Sequence, residues 1–226
     1  MKTQNLTPTI TKKINSFWKW FLNNEIEIIK ALLYYENYTD IIAKMNAKLS
    51  AISKNIGYVI KASIESKEKI KIIFTAHGNS KLFDKVIALE QAAPIFHNWT
   101  IQSFIKPTKD IEQFKKELDD AYIFQDFELK TSELYFSVID YNIQEKKLNI
   151  IIFMKNYTFH CENDFLEEAV CIVLQEFISE VALYKHINFV QMGQTPNNTK
   201  NLVHLYELQE YIDKLNEINR LKNTDL

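Results

Sequence analysis

The sequence predicts an α+β fold, in which helices pack on a mixed, mostly antiparallel sheet. Two pairs of β-branched segments are joined by short charged turns, as in β-hairpins. Apolar residues at helical spacing precede and follow each hairpin. The order helix, hairpin, helix, strand occurs twice, over about 14–106 and 108–193, and a last helix covers about 202–221. We therefore expect two similar units related by a pseudo-duplication, which rests on element order because the residue identities differ.

The first helical region contains the segment FWKWF, which begins at Phe17. On a helical wheel its aromatic residues share one arc with the apolar residues that follow Glu27. Asn24 also falls on this apolar arc, where a polar side chain is unfavourable. We expect the helix to break there, with Asn24 as the N-cap of a second helix and Glu27 completing a capping box. The second helix should reach about Tyr35.

The remaining elements of the first half follow from turn and cap signals. Thr39 can cap a third helix that ends at Gly57. The other predicted elements are a hairpin with strands 59–64 and 70–75 and its turn at 66–69, a helix capped by Asn79 or Ser80 and ended by Pro94, and a strand that stops at Pro107.

The second half repeats this order and contains longer elements. A helix is expected over about 108–122, followed by a hairpin whose turn lies near 142–147. A strongly apolar helix should then run from a cap at Asn163 or Asp164 to about Tyr184, before a strand that ends at Gly193. No Pro/Gly/Ser-rich linker divides the halves. We expect one globular body over 1–226, with its seam at the Lys106–Pro107 corner.

The charge and glycine content disfavour several functional classes. The formal net charge is -2, and Arg220 is the one arginine among 27 basic residues. Binding to nucleic acid through the phosphate backbone normally requires a basic surface, so we expect no nucleic-acid partner. With glycine only at positions 57, 78 and 193, the chain contains no glycine-rich phosphate loop and no G-x-S-x-G nucleophile elbow. We expect no cofactor.

The two cysteines, Cys161 and Cys171, do not form a disulfide or zinc pattern. The start, MKTQNLTPTITKK, lacks an apolar run, and no segment has the length and hydropathy of a membrane span. We therefore expect a cytoplasmic protein with no membrane partner. Cys171 lies in the apolar stripe of its helix and should belong to the core.

Five residues are candidates for catalysis, and three of them precede predicted helices. His77 lies between a predicted strand end and a helix start, and His160 holds the corresponding place in the second half. Free N–H groups at a helix start favour such sites, although an exposed turn histidine explains the same pattern. Cys161 follows His160 and precedes a predicted helix, a setting that can activate a thiol as a nucleophile.

Glu176 and Glu180 are four residues apart on the predicted long helix and should share one face. They could form a carboxylate pair for acid–base chemistry, or they could belong to a solvated polar face. The five histidines do not combine with acidic residues at a recognised metal-ligand spacing, so we expect no metal site. The histidines are His77, His97, His160, His186 and His204.

Tyrosines are the candidate binding residues. Tyr34, Tyr35 and Tyr38 cluster at a predicted helix end, and Tyr206 and Tyr211 lie on the last predicted helix. Exposed tyrosines are favoured at protein interfaces, but the same residues also occur at the rim of a core.

Three stretches resemble an uncharacterised family of bacterial cytosolic proteins. They are FWKWFLNNE, the segment from IIFTAHGNS to FHNWTIQSFIKP, which contains Ala-Pro-x-x-x-x-Trp, and FLEEAVCIVLQEFISEVALYKHINFV. The resemblance covers most of the chain and implies one shared architecture. It implies no activity and supplies no catalytic residues.

These observations favour a non-enzymatic cytoplasmic domain that binds another protein, of the immunity-protein or adaptor type. The expected contact surface is a groove between the two lobes. The alternative is a small hydrolase that uses His77 or the His160–Cys161 pair in the cleft. A third possibility is self-association through the final helix.

Overall fold

The computed structural model describes residues 6–62, 69–107, 111–124, 127–163 and 165–222. It has an α+β fold with mixed sheets, as the sequence predicts. The chain divides into two compact units, Met1–Ile105 (unit 1) and Lys106–Leu226 (unit 2). Within the described ranges, no helix has both the length and the hydropathy needed to cross a membrane.

The described residues of unit 1 form four α-helices and a three-stranded sheet in the order β1-β2-β3. β1 and β2 are antiparallel, as predicted for a hairpin, whereas β3 is parallel to β2. The hairpin turn lies outside the described residues. The elements are α1 (Pro8–Asn23), α2 (Glu25–Tyr34), α3 (Tyr38–Ile52), β1 (Gly57–Lys61), β2 (Ile70–Thr75), α4 (Phe83–Gln91) and β3 (Trp99–Ser103).

The predicted break at Asn24 is confirmed, but its predicted mechanism is wrong. The Asn24 side chain forms no cap with α2. Its Nδ2 instead donates a hydrogen bond to the carbonyl oxygen of Trp20, 2.7 Å away. The same carbonyl also accepts a hydrogen bond from the backbone N–H of Asn24 at 3.1 Å, so Asn24 closes the end of α1 with both its backbone and its side chain.

The third helix also differs at both ends from the prediction. Thr39 lies inside α3, and the helix is preceded by Asn37, whose backbone has a φ of 48°. α3 ends at Ile52, so Gly57 is not its C-terminal signal but the first residue of β1. A Cβ atom at Gly57 would lie 2.2 Å from Nε2 of His77, so close approach accounts for this glycine.

The aromatic start of the chain belongs to the core of unit 1. Phe17 and Trp18 are buried, and both rings pack edge-on against Phe74 of β2. Nε1 of Trp18 donates a buried hydrogen bond to the carbonyl oxygen of Leu89 at 2.9 Å. Burial of each large side chain stabilises the fold by about 1.5–3 kcal/mol, so this cluster holds α1 on the sheet and on α4.

Unit 2 has a four-stranded sheet in the order β8-β7-β6-β9 and a separate β4-β5 pair. α7 and α9 contribute buried residues to its core together with β7. The elements are α5 (Glu112–Lys115), β4 (Tyr122–Phe124), β5 (Phe127–Leu129), β6 (Tyr135–Asn142), β7 (Lys147–Met154), α6 (Tyr157–His160), α7 (Leu166–Ile178), α8 (Glu180–His186), β8 (Ile187–Gln194), β9 (Val203–His204) and α9 (Leu208–Lys222).

The prediction of a helix over 108–122 is wrong for most of that range, because α5 covers only the four residues Glu112–Lys115. The backbone turns at Glu117, which has a φ of 57°. Beyond it the buried carboxylate of Asp119 accepts a hydrogen bond from the N–H of Ser132 at 3.0 Å. This long-range contact holds the chain in a non-helical path toward β4, a strand that the sequence did not predict.

The predicted long helix of unit 2 is interrupted at Ser179. This residue has φ 68° and ψ 157°, values that end α7 at Ile178. Its side-chain oxygen accepts a hydrogen bond from the N–H of Ala182 at 3.2 Å and thereby caps α8. The side chain of Asn163 accepts from the N–H of Phe165 just before α7 begins.

The strand after the helix pairs in the same way in both units. β3 lies parallel to β2, and β8 lies parallel to β7, so the second strand of each hairpin is flanked on both sides. Among the described strands, β1 and β8 each lie at one edge of their sheet. The pseudo-duplication itself stays a prediction.

Candidate binding site

Three of the predicted binding tyrosines are exposed at the corner between α2 and α3. Tyr34 ends α2, Tyr35 follows it, and Tyr38 begins α3. Tyr35 is 76% exposed, and its ring centroid lies 5.8 Å from that of Tyr38. Because neither ring is needed to fill a core, the area is available for contact with another molecule.

Tyr35 and Tyr38 contribute to one wall of a pocket of about 300 Å³, which we call the tyrosine pocket. One face of β1 and the residue after it form the opposite wall. Tyr34 is not among the lining residues. The pocket is lined by Leu32, Tyr35, Tyr38 and Ile42 from the helical corner and by Tyr58, Ile60 and Ala62 from the strand side.

Tyr58 is a pocket residue that the sequence did not single out. Partial burial, and next the proximity of Tyr38, raise the pKa of the Tyr58 hydroxyl to about 12. Tyr58 therefore stays protonated at physiological pH and can donate or accept a hydrogen bond at the pocket wall. The alternation of Tyr58, Ile60 and Ala62 places them on one face of the strand, but it does not indicate which helices cover that face.

The strand beside the pocket has a free edge. Within the described parts of the chain, β2 is the strand that pairs with β1, with Tyr58 opposite Phe74 and Ile60 opposite Ile72. Among the described residues no second strand pairs with the other side of β1, and a strand in this position can accept a further strand. An edge strand beside a pocket is the arrangement by which extended peptides bind in strand addition.

The helical corner has an unusual backbone. Tyr35 has a φ of 61° and Asn37 a φ of 48°, in the left-handed region that favours glycine. Asparagine tolerates this region, whereas a tyrosine there costs about 1–3 kcal/mol. Such strain concentrates at functional sites. At Tyr35 the left-handed conformation ends α2, where the backbone N–H of Tyr35 donates a hydrogen bond to the carbonyl oxygen of Ala31.

The other two predicted binding tyrosines are core residues of unit 2. Tyr206 is only 8% exposed and stacks on His204 with ring centroids 4.7 Å apart. Tyr211 is half-buried and packs edge-on against Phe136. These two residues hold α9 and the segment before it on the sheet, and they do not belong to the candidate site.

His77 is exposed in the turn after β2, where it has a φ of 48°. Its backbone N–H donates a hydrogen bond to Oγ1 of Thr75 at 3.0 Å, and its imidazole lies against Gly57. Asn79 is one of the two predicted caps. Its side-chain Oδ1 accepts a hydrogen bond from the N–H of Lys81 in the 3-10 turn that follows. These contacts give the histidine a role in closing the turn onto β1.

His160 and Cys161 lie in unit 2, at the end of the four-residue helix α6. Cys161 follows the last residue of α6, and α7 begins five residues further on, at Leu166. Its Sγ is exposed and donates a weak hydrogen bond to the carbonyl oxygen of Thr158 at 3.5 Å. The hydrolase alternative stays a prediction.

The carboxylates of Glu176 and Glu180 do not share a helix face, and the predicted pair is wrong in this respect. The break at Ser179 places them on α7 and α8. Glu180 is completely buried, which also contradicts a solvated polar face. Burial, and next the charge of Glu176, raise the pKa of Tyr122, so Glu176 lies near that ring. Among the described residues, no group of three or more His, Cys, Asp or Glu side chains could hold a metal ion.

A second, more apolar groove of about 240 Å³ lies between α7 and the edge strand β8. Cys171 lines it and is exposed, so the prediction of a core cysteine is wrong. Desolvation by the surrounding atoms, and next the charges of Glu167 and Glu168, raise the pKa of the Cys171 thiol. A raised pKa disfavours the reactive thiolate.

Comparison of the chain with models of known protein families, with curated proteins and with solved structures finds no match.

Proposed function

We propose that this chain is a cytoplasmic protein-binding domain, of the adaptor or immunity-protein type, and that unit 1 carries the binding surface. The surface consists of the tyrosine pocket and the free edge of β1. The observation that carries the proposal is that Tyr35 and Tyr38, two exposed rings, line a pocket against the outermost strand of a sheet.

Each part of this surface favours a polypeptide ligand. Tyrosine brings a large contact area with few rotatable bonds, and it is enriched among the residues that dominate interface energies. The open side of β1 offers backbone hydrogen bonds, which a polypeptide in extended conformation can satisfy.

The test is affinity capture from the cells that encode the chain, followed by mass spectrometry. The baits are the wild-type chain, a Tyr35→Ser/Tyr38→Ser double variant and, as a matched control, Phe159→Ser. Phe159 is an exposed ring of unit 2, 84% exposed. Circular dichroism verifies that each bait is folded.

We expect the wild type and the Phe159→Ser bait to capture the same partner and the double variant to lose it. Removal of two interface rings costs at least about 2 kcal/mol, which corresponds to a roughly 30-fold loss of affinity. Equal capture by all three baits would contradict the proposed surface.

A further inference from the structure

The tyrosine pocket offers aromatic faces to a ligand and, among its lining residues, no positive charge. The planes of Tyr35 and Tyr38 are inclined at 48° with centroids 5.8 Å apart, so the two rings form a corner rather than a flat stack. The face of an aromatic ring carries negative electrostatic potential. Glu36, which is exposed in the turn between these two tyrosines, adds a formal negative charge to the same corner.

Two lysines on the described elements that line the pocket, Lys44 and Lys61, lie away from the pocket. Lys44 of α3 forms an ion pair with Asp40 at 2.6 Å, on the side of the helix away from Tyr38 and Ile42. Lys61 projects from the opposite face of β1 to Tyr58 and Ile60, because side chains alternate along a strand. Among the described residues, the aromatic faces and Glu36 therefore favour a cation over a carboxylate in the pocket.

Building on the proposed function, we infer that the tyrosine pocket binds the cationic side chain of an arginine or lysine in a partner segment that adds as a strand to the free edge of β1. In strand addition, backbone hydrogen bonds supply affinity, and a pocket that receives alternate side chains supplies specificity. Tyr58 and Ile60 mark the face of the sheet that lines the pocket. Every second side chain of an added strand would project toward this face.

Arginine is the preferred occupant. Its planar guanidinium stacks on aromatic faces and is more weakly hydrated than an ammonium group, so its transfer into the pocket costs less. Its five N–H donors can also reach the tyrosine hydroxyl groups at the wall. A neutral side chain of the same shape keeps the burial and the hydrogen bonds but loses the attraction between the cation and the rings.

The test measures binding of short synthetic peptides to the full chain by NMR titration. The parent peptide is β-branched and carries one central arginine, and matched peptides replace the arginine with citrulline, which is neutral and of similar shape, or with glutamate. Four proteins are compared: the wild type, Tyr35→Leu, Tyr35→Phe and Tyr34→Leu. Tyr34 is the control because it adjoins Tyr35, is 62% exposed and does not line the pocket.

We expect the arginine peptide to bind the wild type about fivefold more tightly than the citrulline peptide, and the glutamate peptide to bind most weakly. Tyr35→Leu should abolish this preference, whereas Tyr35→Phe and Tyr34→Leu should retain it. Equal binding of the arginine and citrulline peptides, no measurable binding of the arginine peptide, or a preference that survives in Tyr35→Leu would overturn the inference.

The peptide experiment and the capture experiment can fail separately. If cellular capture depends on Tyr35 and Tyr38 but the peptides show no preference for the cation, the proposed function stands and the inference about the cation falls. If capture does not depend on the two tyrosines, the proposed function fails, and the role of the pocket in partner binding fails with it.

Discussion

The imidazole of His77 occupies the space that a side chain at Gly57 would fill. A Cβ atom at Gly57 would lie 2.2 Å from Nε2 of His77, well inside van der Waals contact. The turn after β2 thus closes onto the first residue of β1, the strand that forms one wall of the tyrosine pocket. The packing of this turn therefore contributes to the position of the β1 backbone.

We predict that Gly57→Ala destabilises the chain by about 1 kcal/mol, because the new methyl group displaces the imidazole. In the His77→Ala background the same substitution should cost markedly less, since the closest remaining atom is Cγ2 of Thr75 at 3.1 Å. Urea unfolding of the two single variants and the double variant measures this coupling. A coupling energy of zero would show that His77 does not pack on Gly57 in solution.

A second prediction concerns the indole of Trp18, which is 3% exposed and donates to the carbonyl of Leu89. Trp18→Phe removes this hydrogen bond and leaves a cavity, and we expect a loss of about 2–4 kcal/mol. Trp20 is half-buried, so Trp20→Phe serves as the control and should cost below about 1 kcal/mol. Equal losses in the two variants would contradict a central role for Trp18 in the core.

Ser179 allows a test in which two small substitutions act in opposite directions. Its φ of 68° and ψ of 157° lie in a region that is almost restricted to glycine. Ser179→Gly should relieve this strain and stabilise the chain by about 1 kcal/mol, although it loses the cap to Ala182. Ser179→Ala keeps the strain, loses the cap and should destabilise by about 1 kcal/mol. Thermal unfolding of the wild type and both variants measures these changes. A Ser179→Gly variant that is less stable than the wild type would contradict the strain assigned to Ser179.

The raised pKa of Tyr58 predicts a loss of stability at high pH. The unfolded chain ionises this tyrosine near its ordinary value of about 10, whereas the folded chain does so near 12. The stabilisation is therefore complete below about pH 10 and is lost as the pH rises through 12. Because Tyr58 is only partly buried, solvent screening reduces the effect to the order of 1 kcal/mol.

Urea unfolding at about pH 9 and pH 11 measures this contribution as the difference between the wild type and Tyr58→Phe. Burial also raises the pKa of Tyr122 and Tyr206, and the comparison with Tyr58→Phe removes their share. The stability of Tyr58→Phe should fall less between the two pH values than that of the wild type. An equal fall in both proteins would contradict the environment described for Tyr58.

Elements whose signal is local could be predicted from the sequence. The hairpin of β6 and β7 and the break at Asn24 follow from alternation and from a polar residue on an apolar arc. Features decided by distant contacts could not be predicted. The bond between Asp119 and Ser132 redirects a segment of helical pattern. The break at Ser179 was missed for another reason: neither glycine nor proline marks it in the sequence.

The candidate site was predictable only in part for the same reason. Tyr34, Tyr35 and Tyr38 form a cluster that is visible in the chain, and two of them line the pocket. Tyr58 and the free edge of β1 complete the site, but they meet the cluster only because the sheet packs against the α2–α3 corner. Tyr206 resembles the binding tyrosines in sequence and is nevertheless core, because a helical pattern does not reveal which face is covered.

Photo-crosslinking in the cells that encode the chain tests the central claim most directly. A photo-reactive phenylalanine analogue is placed at Tyr35 and, as the control, at Phe159 in unit 2. We predict an adduct with one defined protein from position 35, mapped to a segment of that protein that contains arginine or lysine, and none from position 159. Adducts of the same protein from both positions, or from position 159 alone, would contradict a binding surface at the tyrosine pocket and the edge of β1.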